Sequence, residues 1–143
     1  MTLEELDNLA KEKYYINDLK GSMACYAQAF IICPDMGSAY NNYGNVIREM
    51  GFPERAYGFL QNAIDINPND SVAQFNLAVA YLLAGDYERG WAQYETRWNY
   101  EHLAGQLPNY SQPRWTGQDV KDKTVLVVGE QGQDRKSTRL NSS

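Results

Sequence analysis

Small and apolar residues recur along most of this chain at the spacing of helices. Between Gly37 and Asp70, Tyr40, Tyr43, Gly44 and Ile47 step by three, one and three, and Ala56, Leu60 and Ala63 step by four and three. Steps of three and four gather side chains on one face of an α-helix. Two helices are therefore expected here. Gly51 can take the left-handed geometry that closes the first, and Pro53 is tolerated in the first turn of the second. The run Asn67-Pro68-Asn69-Asp70 ends the second helix and offers Asp70 as a side-chain cap for the next.

The pattern is periodic. A shift of 34 residues carries Pro34 onto Pro68, Asn42 onto Asn76 and Gly51 onto Gly85. Three units follow, 3–36, 37–70 and 71–102, each expected to be a helical hairpin. Small residues at Gly44, Ala56 and Ala63 let two helices approach closely, while Tyr40, Tyr43, Ile47 and Leu60 fill the seam between them. One hairpin leaves a face bare, and stacking three buries a continuous core. The expected fold is all-α, a helical-hairpin solenoid of about three repeats, followed by a stub of an α/β domain.

This unit resembles the tetratricopeptide repeat, a helix-turn-helix of 34 residues. The middle unit carries the resemblance best, with Tyr40, Tyr43, Gly44, Ile47, Ala56, Leu60, Ala63 and Pro68. The first unit keeps Leu6, Leu9, Ala10, Ser22, Tyr26, Ala29 and Pro34, with Lys13 where an aromatic is usual. The third keeps Leu77, Ala78, Tyr81 and Tyr94, and departs at Gln74, Gly90, Arg97 and His102.

First helices line the concave side of such a solenoid, and exposed residues there are the natural contact surface. In the middle unit that side reads Ser38, Asn41, Asn42, Asn45, Arg48 and Glu49, with Asn8 and Lys11 before it and Asn76 after. Asn8, Asn42 and Asn76 form a column, one asparagine at the same place in every unit. An amide offers both donors and an acceptor, so such a column could grip successive backbone groups of an extended peptide. It resembles the asparagine ladder in the repeat arm of the O-linked N-acetylglucosamine transferase, and it could equally bond neighbouring helices. The carboxylate clamp of chaperone-binding repeats is not expected: Lys11 is present, but Asp7, Val72 and Asn76 stand where further clamp residues belong. In the third unit the equivalent face turns apolar, with Val72, Phe75, Val79, Leu82 and Leu83, which implies that a following segment packs there.

Trp91, Tyr94, Glu95 and Trp98 fall on one helical stripe and are expected to seal the last repeat against a following domain, with Trp115 joining from the linker. Gly105, Pro108, Pro113 and Gly117 mark residues 103–122 as that linker. Val125–Val128, bounded by Lys123 and Gly129, reads as a buried strand within a stub at 123–133. The succession Gly90-Trp91, Tyr94-Glu95-Thr96-Arg97-Trp98, then Pro113, Trp115 and Gly117, resembles bacterial tetratricopeptide-repeat proteins whose C-terminal part is a heptosyltransferase-like glycosyltransferase of the GT-B fold. That resemblance spans residues 3 to 133. It implies a nucleotide-sugar enzyme as parent, cut off at the first strand of its catalytic domain. The family's strand is followed by Glu-Gln-Gly-x-Gly-Asp, whose aspartate stands where the general base is placed. Here Glu130, Gln131, Gly132 and Gln133 are followed by Asp134 and Arg135, so the base does not carry over.

The segment Gly129–Ser137 misses the phosphate-loop pattern, because Arg135 stands where a glycine should precede the lysine. Asp134–Ser143 resembles a translated sequencing adapter and is set apart from fold reasoning as a non-native tail.

Composition narrows the classes left. The 143 residues carry a formal charge of −5, which argues against a nucleic-acid partner. No run of eighteen apolar residues occurs and the start is too charged for a secretion signal, so a soluble cytoplasmic protein without a membrane partner is expected. Cys25 and Cys33 stand too far apart on one helix to bridge, and a single histidine, His102, leaves no Cys/His set for zinc. The expected function is a protein- or peptide-binding scaffold with no catalytic residues, metal or cofactor, joined in its parent to its own glycosyltransferase domain. A stand-alone adaptor or structural spacer is the alternative.

Overall fold

The computed structural model describes residues 1–99, 111, 113 and 115–125. It divides into a unit spanning Met1–Tyr100 and a second spanning Glu101–Ser143. Six α-helices run in order through the first: α1 Leu3–Tyr15, α2 Leu19–Ile32, α3 Gly37–Glu49, α4 Pro53–Ile66, α5 Ser71–Leu83 and α6 Tyr87–Tyr94. A 3-10 turn, Glu95–Asn99, follows α6. Consecutive helices pack in pairs, and α3 also touches α5, so the first helices of the second and third repeats meet along one face.

Each turn has a local cause. Asn17, Gly51 and Gly85 have φ of 62°, 89° and 83°, so the same left-handed residue recurs at one place in every repeat. Glycine adopts that geometry freely and asparagine tolerates it. A Cβ at Gly51 would meet nothing within 4 Å, so its constraint lies in the backbone alone. Gly51→Ala should therefore cost about 1–2 kcal/mol, the left-handed penalty of an ordinary L-residue. Gly51→Asn should cost clearly less; urea unfolding of the two variants compares them.

Caps open the helices. Thr2 and Glu5 form a reciprocal capping box on α1. Asp70 accepts from the amides of Val72 and Ala73, both at 3.0 Å, as its position before α5 led one to expect. Asp18 caps α2 through the Gly21 amide and also receives Lys13 Nζ at 3.0 Å. The Lys13 hydrogen bond, then the Gly21 amide, hold the Asp18 carboxyl below its usual range. Lys13, which replaces the usual aromatic, thus ties the two helices of the first repeat across their turn.

The interior is built from small residues meeting large ones. Ala10, Ala29, Ala39, Ala56, Ala63 and Ala73 are fully buried, as are Tyr26 and Leu60. A Cβ on Gly44 would lie 2.8 Å from Leu60, and one on Gly90 would lie 2.6 Å from Leu82. Gly90, a departure from the repeat pattern, therefore serves it: it stands where Ala56 stands one repeat earlier and lets α6 close on α5. Aromatic rings link the hairpins, Phe30 stacking on Tyr40 at 4.5 Å and Tyr57 meeting Tyr81 at 4.5 Å, while Tyr43 meets Phe59 at 4.6 Å within the middle one.

The terminal stripe departs from expectation. Trp98 does not share a helix with Trp91 and Tyr94, because α6 ends at Tyr94 and the chain tightens into the 3-10 turn. Arg97 supplies the reason. Its buried guanidinium donates to the Tyr94 carbonyl at 3.1 Å, the group that a continuing helix would offer to the Trp98 amide, and to Glu95 Oε1 at 3.0 Å. It also lies 4.0 Å from the Trp98 ring centroid.

In the second unit, Trp115 is exposed and its indole N–H donates to the Gln118 carbonyl at 2.6 Å. Gly117 and Asp122 have positive φ, and the Lys123 amide donates to the Val120 carbonyl at 3.0 Å. Val125 is described and lies outside any strand. The remainder of the expected strand, the segment Gly129–Ser137 and His102 lie outside the described residues.

Candidate functional site

The first helices of repeats one and two leave a cavity of about 150 Å³ between them, lined by Lys11, Tyr14, Tyr15, Tyr26, Asn42, Asn45 and Val46. Steps of three and four on α1 and on α3 bring the side chains together, and Tyr26 of α2 joins them. Lys11 Nζ bonds Asp7 Oδ2 at 2.6 Å, which neutralises the cation and leaves it further N–H groups. Asp7 Oδ1, Asn45 Oδ1 and Arg48 Nε are enclosed and make no hydrogen bond within the chain. Arg48 pairs through Nη2 with Glu49 at 2.9 Å.

Tyr26 is 1% exposed. Burial first, and then the Asp7 carboxylate, push its hydroxyl up to about 12, against a smaller lowering by the side-chain amide of Asn42. Burial, then Glu49, also raise Tyr14. The linkage has a definite sign. Between its ordinary value of 10.0 and about 12, Tyr26 releases its proton in the unfolded chain while the folded chain holds it, so stability falls as pH rises through that window. Tyr26→Phe should flatten this alkaline loss, measured as unfolding midpoint against pH.

The asparagines are not equivalent, although the sequence places Asn8, Asn42 and Asn76 in one column. Asn8 is exposed on α1, Asn42 is half-buried at the cavity, and Asn76 is buried in the seam between repeats. Asn76 Nδ2 donates to Asn41 Oδ1 at 2.9 Å. Asn41 Nδ2 in turn donates to Asn42 Oδ1 at 3.2 Å, and Asn42 lines the cavity together with Tyr26. Asn41, expected on the open face, is itself buried, because this bond draws it against α5. Of the residues expected to bind, the structure gathers Lys11, Asn42 and Asn45 at one cavity and sets Arg48 close by. It spends Asn41 and Asn76 between the helices. The three tyrosines and Val46 were absent from the expectation; the signal for them was the same three- and four-residue step that brings Lys11 to Tyr14 and Asn42 to Val46.

At the other end of the array, Trp91 is 59% exposed, with its ring edge-on to Tyr94 at 5.8 Å. Tyr94 packs on Phe75 at 5.6 Å. Val72 and Leu83 are exposed, whereas Phe75, Val79 and Leu82 are half-buried. Among the described residues no group of three or more His, Cys, Asp or Glu side chains gathers as a metal site. No described helix is long and apolar enough to cross a membrane.

A tetratricopeptide repeat family model matches residues 59–92, from the middle of α4 into α6. Protein FlbA of Caulobacter vibrioides is 30% identical over 122 residues, covering 82% of this chain; the chain spans 20% of FlbA's length. Among solved structures, the TPR2B domain of yeast Sti1 in complex with pHsp70 superposes with a TM-score of 0.66 at 18% identity, over 72% of this chain and 83% of that one. The first tetratricopeptide domain of Spaghetti (RPAP3), bound to the HSP90 peptide SRMEEVD, gives 0.66 at 14% identity, over 70% and 81%.

Proposed function

We propose that this tetratricopeptide-repeat chain is a protein-binding scaffold that holds an extended peptide against its first helices, with the Lys11–Asn45 cavity as its primary contact. One observation carries the reading: Asn45 Oδ1 is enclosed at that cavity without a partner in the chain, beside the amide of Asn42. An enclosed acceptor without a donor is costly, and turning the Asn45 amide outward into the cavity would let a bound peptide N–H satisfy it. The N–H and C=O of one extended residue point to the same side, so Asn45 and Asn42 can serve both. The tyrosines supply apolar walls for the flanking side chains. Two neighbours of the same fold, from Sti1 and RPAP3, are described as complexes with a chaperone or its peptide, which supports a peptide mode in kind. The acceptor need not be the same, since Asp7, Val72 and Asn76 differ from the clamp.

The test is selection of a displayed library of short random peptides on the full chain, with affinities read by fluorescence anisotropy. Asn45→Leu and Lys11→Met should each weaken a selected peptide, whereas Asn8→Ala, exposed and away from the cavity lining, should change little. Peptides bound equally by all three variants would remove the cavity from the reading.

A second reading concerns the parent. The words Gly90-Trp91 and Tyr94-Glu95-Thr96-Arg97-Trp98, with Pro113, Trp115 and Gly117, support the repeats as the N-terminal arm of a nucleotide-sugar glycosyltransferase. In that arm Trp91, Tyr94, Trp98 and Trp115 would face the catalytic domain. Genomic reads through the Gln133 codon decide it: continuation into Gly-Asp and an α/β domain supports the arm, and a stop or an unrelated frame removes it.

A further inference from the structure

We infer that Asn76, in the third repeat, is a positioning residue for the cavity between the first two: through Asn41 it fixes which end of the Asn42 amide faces a bound peptide. This rests on the peptide-binding reading and adds to it the polarity of the site. The two ends of an amide have nearly the same shape and opposite hydrogen-bonding character, so an asparagine at a binding surface can offer either. Asn42 is not left to choose. Asn76 Nδ2 donates to Asn41 Oδ1 at 2.9 Å, and both residues are buried. Asn41 then has only its N–H groups left to give, and it gives one to Asn42 Oδ1 at 3.2 Å. With its oxygen held by Asn41, Asn42 has its amide nitrogen left for the cavity that it lines with Tyr26.

Reversing Asn42 alone would set two N–H groups against each other. Reversing the whole chain would require Asn76 to turn inside the seam. Hydrogen bonds that follow one direction in a poorly solvated seam also strengthen one another. The cavity therefore meets its guest with a donor at Asn42, and Asn45, once its enclosed amide turns outward, adds an acceptor, a pair that matches the C=O and N–H of one extended peptide residue.

Asn41→Asp tests the polarity directly, because a carboxylate accepts from both neighbours. Asn76 keeps its bond, while Asn42 turns its nitrogen toward position 41 and its oxygen toward the cavity. A selected peptide should then bind about tenfold more weakly, the worth of one hydrogen bond turned against its partner. Tyr26, whose proton loss the Asn42 amide favours, should titrate at still higher pH, and the side-chain amide resonances of Asn42 should shift. Asn76→Leu, which carries no buried charge, should move the same three readouts in the same direction by less. Circular dichroism and the melting temperature report any loss of fold separately. Unchanged Asn42 resonances and Tyr26 titration in both variants would overturn the inference. Were no peptide to bind the wild type, the peptide reading would fail, and those two spectroscopic readouts would still decide whether Asn76 orients Asn42.

Discussion

Leu60→Ala should cost about 2–5 kcal/mol of unfolding free energy, the range for a large apolar side chain removed from a core that cannot collapse onto the space. Leu60 is 0% exposed and belongs to α4, which packs on α3 before it and α5 after it. In a stacked array each repeat is held by its neighbours, so a cavity in the middle repeat weakens the hairpin and its interfaces together. Set against a total of about 5–15 kcal/mol for an ordinary domain, this is a large fraction. Urea unfolding followed by circular dichroism measures it. A companion change makes the result specific. Gly44→Ala places a Cβ 2.8 Å from Leu60 and should destabilise the wild type by about 1–3 kcal/mol through overpacking. In the Leu60→Ala background that clash has nothing to meet, so the two costs should fall short of additive. Additive costs would mean that Gly44 is small for some reason other than Leu60.

The helices and turns were legible because each depends on nearby residues. Left-handed Gly51, the Asp70 cap and the close approach at Gly44 are local facts that a spacing of three, four or 34 residues reveals. The end of α6 was not legible, because the deciding contact is a side chain reaching back to a carbonyl: Arg97 bonding Tyr94. Spacing alone left Trp98 on the stripe. The asparagine column was half legible for a related reason. Periodicity locates residues on a helix face, but it does not say whether the next repeat covers that face. Asn8 is exposed on α1, whereas Asn76 closes on Asn41. Identical positions in a repeat thus acquire different roles from their place in the stack. The cavity was the least legible feature, since it joins α1, α2 and α3 and depends on Tyr26, a residue the repeat pattern explains fully as core.

Asn76→Leu should cost about 1–3 kcal/mol, because it strands the Asn41 acceptor in the seam without a donor. Asn41→Leu should cost a similar amount by stranding Asn76. The double replacement should recover much of the loss, since two apolar side chains of similar size leave no unpaired polar group between α3 and α5. Asn8→Leu, exposed and outside any such pair, should change stability by no more than about 0.5 kcal/mol. Equilibrium unfolding of the wild type, the two single variants at 41 and 76 and their double forms a cycle whose coupling measures the rung itself, with Asn8→Leu as the control. A column used only to hold peptide would give no coupling between residues 41 and 76, and its members would matter for binding alone. A column used only as structure would show the coupling and leave peptide affinity intact when the double variant is compared with wild type. The structure predicts the mixed outcome: the rung stabilises the stack, and its loss also frees Asn42 to turn, so stability can be recovered by the double replacement while affinity is not.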